Sequence, residues 1–80
     1  MNLPSPPHIF KTGDLVRITY EGEAIEGRVL LASANGVSLM LEFDGVLGSF
    51  AGMMPVLYVD NEFTELANKK PVYVKPRVLS

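Results

Sequence analysis

The chain predicts an all-β protein, a small barrel of five to six strands laid down as consecutive antiparallel hairpins. Four turn signals recur at short, even intervals: Gly22-Glu23, Asn35-Gly36, Asp44-Gly45 and Asp60-Asn61. The runs between them are rich in Val, Leu, Ile, Phe and Tyr, the pattern of short strands joined by tight turns. No segment sustains helical periodicity, and no internal repeat is visible.

The first strand, Leu15 to Tyr20, opens after Gly13-Asp14 and turns Val16, Ile18 and Tyr20 to one face. A two-residue turn at Gly22-Glu23 leads into a second strand from about Ala24 to Ala32, with Ile25, Gly27, Val29 and Leu31 inward. That turn pairs Tyr20 with Ile25, Ile18 with Gly27 and Val16 with Val29. A glycine inside a strand marks a bulge, a bend or a close backbone approach, and Gly27 is the expected bend. The third strand runs from Val37 to Phe43. A three-residue loop, Ala34-Asn35-Gly36 with Gly36 left-handed, pairs Leu31 with Leu39, Val29 with Leu41 and Gly27 with Phe43. Outside, it sets Arg28 against Glu42 and Leu30 against Met40. A glycine-rich connection from Asp44 to Gly52 precedes a fourth strand, Met53 to Val59. Asp60-Asn61 turns it into a fifth, Glu62 to Leu66, with Tyr58 facing Phe63. A last short strand covers Val72 to Lys75, and Pro76 stops it.

A length of 80 residues allows one domain. A chain this small buries only roughly 60% of its unfolded surface. We divide it into a flexible, proline-rich N-terminal tail (1–11), the barrel (12–76) and a short C-terminal tail (77–80). There is no cysteine, so no disulfide or thiolate metal site staples the fold. That composition, with no signal peptide in Met1 to His8, points to a cytoplasmic protein. The uncharged stretch between Asp44 and Asp60 is broken by Gly45, Gly48, Gly52 and Pro55. It falls short of the roughly 20 apolar residues that a spanning helix needs, which excludes it as a membrane helix.

The segment Gly13-Asp14-Leu15-Val16-Arg17-Ile18, continuing through Gly22 to Gly27-Arg28-Val29, resembles the opening of SH3-like barrels of the KOW type. Extended to Val37-Ser38-Leu39-Met40-Leu41, it is similar to the first motif of Sm-like proteins, with Gly27 as the bend glycine. Ser33-Ala34-Asn35-Gly36 stands where Sm-like proteins carry an Asp-x-x-hydrophobic-Asn element, and their second motif has no counterpart here. Their RNA-contacting residues are therefore not carried over. KOW barrels of ribosomal proteins are strongly basic, whereas this barrel is acidic. The chain also resembles small bacterial proteins with a segment similar to Gly52-Met53-Met54-Pro55-Val56-Leu57, a likeness that implies no function.

Catalysis is not expected. His8 is the only histidine and lies in the N-terminal tail, so neither a Ser-His-Asp nor a Cys-His arrangement can be assembled. Asp14, Glu21, Glu23 and Glu26 gather near the first hairpin but lack the spacing of a calcium loop, so we assign no metal and no cofactor. The glycines of 44–52 lack the Gly-Lys-Ser/Thr ending and the following helix of a phosphate loop.

Two surfaces remain as candidates. Leu30 and Met40 are expected to point outward side by side, and Phe50, Met53 and Met54 are too many to fit inside so small a barrel. Together these five residues form a candidate protein interface, suited to self-association or to another protein. The competing reading has Met53 and Met54 capping the open barrel end and Leu30 as a scattered surface residue. Open strand edges add a motive for association. The alternative is nucleic acid. Up to Asn68 the chain carries a formal −6, and from Lys69 onward a formal +4. Arg17, Lys69, Lys70, Lys75 and Arg77 would meet phosphates, with Tyr73 for stacking. Against this, the basic end could simply lie on the acidic barrel and offset its charge.

Overall fold

The computed structural model describes residues 9–77. The tail reading for residues 1–8, including His8, and residues 78–80 lie outside them. Six strands follow one another: β1 (Leu15–Tyr20), β2 (Glu23–Ala32), β3 (Ser38–Leu47), β4 (Phe50–Val59), β5 (Glu62–Glu65) and β6 (Pro71–Pro76). Each pairs antiparallel with the next, and β6 returns to β1, closing the barrel. This is the expected all-β architecture, a small closed antiparallel barrel compatible with the SH3-like class. Among the described residues no strand edge is left open to pair, because the β1–β6 ladder runs from Val16↔Pro76 to Thr19↔Tyr73.

Alternation places Val16, Ile18 and Tyr20 of β1 in the core, with Leu39, Leu41 and Phe43 of β3 opposite. The first hairpin differs from expectation by two residues. The turn is Glu21-Gly22, so Ile18 faces Ile25 and Val16 faces Gly27. Both turn residues have positive φ, 48° and 84°, the twist that suits a tight hairpin, and Gly22 takes the second position. A shift of two preserves the inward face, so alternation alone cannot fix this register. Gly27 marks a close approach. A Cβ there would collide with the Glu42 carbonyl oxygen and crowd Ile18 and Phe43.

The second hairpin keeps Gly27↔Phe43, Arg28↔Glu42 and Val29↔Leu41 as expected, then shifts by one. Ser33 N–H donates to Ser38 O at 2.9 Å, so the loop holds four residues rather than three. The extra residue would turn the apolar face outward. A bulge at Leu30 restores it, leaving Leu31 opposite Met40 and exposed rather than in the core. Gly36 is left-handed, φ 72°, as the sequence required.

The stretch 44–52 is not a loose connection. β3 runs on to Leu47, turns through Gly48-Ser49 and pairs Leu47 with Phe50. Ladder positions Glu42↔Met53 and Val46↔Ala51 leave surplus residues on the β3 side, so the hairpin bends there. Leu47 is buried and the Phe50 ring stands edge-on to Tyr20, 5.8 Å between centroids. The bent hairpin thus covers the barrel end where β1 finishes. Gly48 lies so close to the Tyr20 ring that a Cβ would sit 2.6 Å from it. Phe10 seals the opposite end. The sequence places it in the N-terminal tail, yet it is buried and packs edge-on to Phe63 at 5.8 Å. The Asp60-Asn61 turn and the facing pair Tyr58–Phe63, with centroids 4.9 Å apart, are as expected.

Among the described residues one buried side chain in this core carries a charge, the carboxylate of Glu65. Its Oε2 accepts from Tyr20 Oη at 2.5 Å and from Asn68 Nδ2 at 3.1 Å. Its Oε1 accepts the backbone N–H groups of Asn68 at 2.5 Å and Lys69 at 2.9 Å. Burial pushes this carboxyl up, but the hydrogen bonds from Tyr20, Asn68 and Lys69 outweigh burial and hold it below its ordinary value. The bond to Glu65, reinforced by burial, raises the Tyr20 hydroxyl above its own ordinary value.

Two predictions follow from these contacts. Gly27→Ala should lower stability by about 1–3 kcal/mol, since backbone rather than a flexible side chain must yield. A melt unchanged from wild type would contradict the close approach. Glu65→Ala strands four donors and should cost about 3 kcal/mol, with Glu65→Gln recovering much of it. The pH profile has a defined sign. The contribution of Glu65 is full above its ordinary 4.5 and is lost as pH falls through its lower folded value. That of Tyr20 is full below 10.0 and is lost as pH rises through its higher folded value. Thermal melts across pH should show a plateau between these limits, with a shallower acid-side fall in Glu65→Gln.

Candidate functional site

The five residues of the proposed apolar interface separate. Met54 is fully buried, opposite Leu41, and Phe50 turns inward onto Tyr20, so both serve the barrel itself. The inward set of β4 continues through Val56, opposite Leu39, and the bent hairpin makes the room that a shorter strand would not. Leu30 is half-buried in the bulge. Met40 lies outward between the buried Leu39 and Leu41, and Met53 is 50% exposed opposite Glu42.

A different apolar row emerges around Met40. The register sets Leu31 on β2, Met40 on β3 and Pro55 on β4 side by side across the outer face. Leu66 continues the row, its N–H donating to Pro55 O at 3.1 Å. Leu31 is 63% exposed and Leu66 44%. Pro55 tolerates a central strand for a local reason. In an antiparallel strand the N–H and C=O of one residue point the same way, so the missing donor faces the place where β5 has ended. One flank of the row carries an ion pair, in which Arg28 Nε and Nη2 both reach Glu42 Oε1, at 2.7 and 2.6 Å. Sequence reasoning missed Leu31 because the bulge that turns it out leaves no mark in the alternation, and missed Leu66 because its place in the row depends on its pairing with Pro55.

The basic candidates also divide. Lys69 and Lys70 lie in the turn that Glu65 organises, and Lys70 Nζ pairs with Glu21 Oε1 at 2.5 Å. That bond and the Glu21 charge hold the Lys70 ammonium above its ordinary value. Arg17, Tyr73 and Lys75 come together instead on the outer face of β1 and β6, where with Thr19 they line a shallow concavity. Arg77 joins them through Glu26, whose Oε2 lies 2.7 Å from Arg77 Nε and whose Oε1 lies 3.6 Å from Arg17 Nη2. The basic end thus lies partly on acidic groups of the barrel, through Lys70 and Arg77, while Lys75 joins Arg17 in the strip and Lys69 stays in the turn.

Of the turn-region acids, Asp14 Oδ2 accepts from Lys11 N–H at 2.9 Å, while Glu21 and Glu26 hold the cations just named. Among the described residues no three His, Asp or Glu side chains form a metal-holding group. Among the same residues no helix is long and apolar enough to cross a membrane. Comparison with family models, with curated proteins and with solved structures gives no match for this chain.

Proposed function

We propose that this barrel is a non-enzymatic binding or assembly module, meeting a second copy of itself or another protein through the outer face of β2, β3 and β4. The observation that carries this reading is the register line Leu31–Met40–Pro55, extended by Leu66 and flanked by Met53. Contiguous exposed apolar surface is more common at interfaces than elsewhere, and methionine adapts to varied partners. Because the ladder is closed, such contact is face against face rather than strand against strand. A cysteine-free barrel of this kind suits the cytoplasm, and kinship with the KOW or Sm-like barrels rests on Gly13-Asp14, Gly22 and Gly27.

Light scattering after size exclusion tests the self-association arm. Wild type should run above the 8.8 kDa of one chain, and the Leu31→Ser/Met40→Ser variant should return to it with the fold intact. A wild-type monomer at every concentration would assign the row to a foreign partner. An oligomer untouched by the double substitution would remove the row as the interface.

A further inference from the structure

The β1–β6 ladder sets Arg17 directly opposite Lys75, and both side chains are exposed. Like charges facing each other across an antiparallel pair oppose that pairing. The local compensation is thin, because Glu26 is shared between Arg17 and Arg77 and no acid pairs with Lys75 among the described residues. The chain as a whole is formally −2, so this cation strip is not a by-product of a basic protein. Beside it, at the next outward position, Tyr73 faces Thr19 with 60% of its surface open. An excess of cations over acids, with Glu26 the single carboxylate shared by Arg17 and Arg77 and none paired with Lys75, beside an open aromatic ring supplies the two elements that single-stranded nucleic acid needs, for its phosphates and for a base.

From this juxtaposition we infer that the outer face of β1 and β6 binds single-stranded nucleic acid, with phosphates held by Arg17 and Lys75 and one base stacked on Tyr73. The bound phosphates relieve the Arg17–Lys75 repulsion that the free barrel carries. The acidic remainder of the surface confines the strand to this strip and disfavours a long duplex. Lys69 and Lys70 are not part of the site. It lies on another face from the apolar row, so either can fail while the other holds.

Fluorescence anisotropy with a short end-labelled oligothymidylate, at low and rising salt, tests the inference. Wild type should bind at low salt and weaken as salt is added. Lys75→Gln should reduce the slope of log K against log salt by about 0.7, the value of one single-strand phosphate contact. Tyr73→Ala should weaken binding at least about five-fold with little change of slope. Lys75→Glu should abolish binding and raise the thermal midpoint, since an opposite-charge pair replaces a repulsive one. Absence of binding at low salt overturns the inference. So does binding that ignores both Tyr73→Ala and Lys75→Gln, or equal affinity for an abasic strand, which would show polyanion attraction alone. A lowered midpoint in Lys75→Glu would contradict the repulsion on which the argument stands.

Discussion

The carboxylate of Glu65 sits at the end of β5, shut off from solvent, and gathers four donors from two distant parts of the chain. One is the hydroxyl of Tyr20, the last residue of β1. The others belong to Asn68 and Lys69, in the turn that launches β6. A buried charge with fewer partners would be costly, and with all its lone pairs engaged it becomes a fixed point. The bond to Tyr20 also anchors the ring on which Phe50 and Gly48 pack, so the β3–β4 hairpin covering that end depends on the same group. Backbone bonds carry the chain from this turn into closure, with Glu65 N–H donating to Lys70 O and Arg77 N–H to Leu15 O.

Closure decides what kind of binding surface the molecule can offer. A sheet with a free edge recruits partners by adding strands, whereas a closed barrel has only its faces. The faces differ in chemistry. Across β2, β3 and β4 a bulge and a proline expose an apolar row, while across β1 and β6 the ladder assembles cations around a tyrosine. Each surface exists only because of a particular register, the shift at Leu30 in one case and the Arg17↔Lys75 pairing in the other.

Much of the barrel was legible in the sequence. Alternation in Leu15–Tyr20 and the Asp60-Asn61 turn placed Val16, Ile18, Tyr20, Tyr58 and Phe63 on their proper faces. The obscure parts share a cause. Alternation has period two, so it is blind to the two-residue displacement of the first hairpin and to a bulge that cancels an added loop residue. The glycines of 44–52 suggest a loose connection by composition, yet in the barrel they permit a bend and a tight turn against Tyr20. The burial of Glu65 has one mark in the sequence, since it shares a face with Phe63 two residues earlier on β5. Of the candidate sites, the sequence identified Met40, Met53, Arg17, Tyr73 and Lys75 as surface features. It could not tell that Met54 and Phe50 are spent on the barrel, or that Lys70 is paired with Glu21.

Amide hydrogen exchange across β1 and β6 is the most direct measurement of closure, on which both surfaces and the role of Glu65 depend. The account predicts that the two strands are protected to the level of β2 and β3 and open together with them. If the amides of β6 exchange like open chain while β2 and β3 remain protected, the barrel is not closed in solution, and the Arg17–Lys75 face does not form.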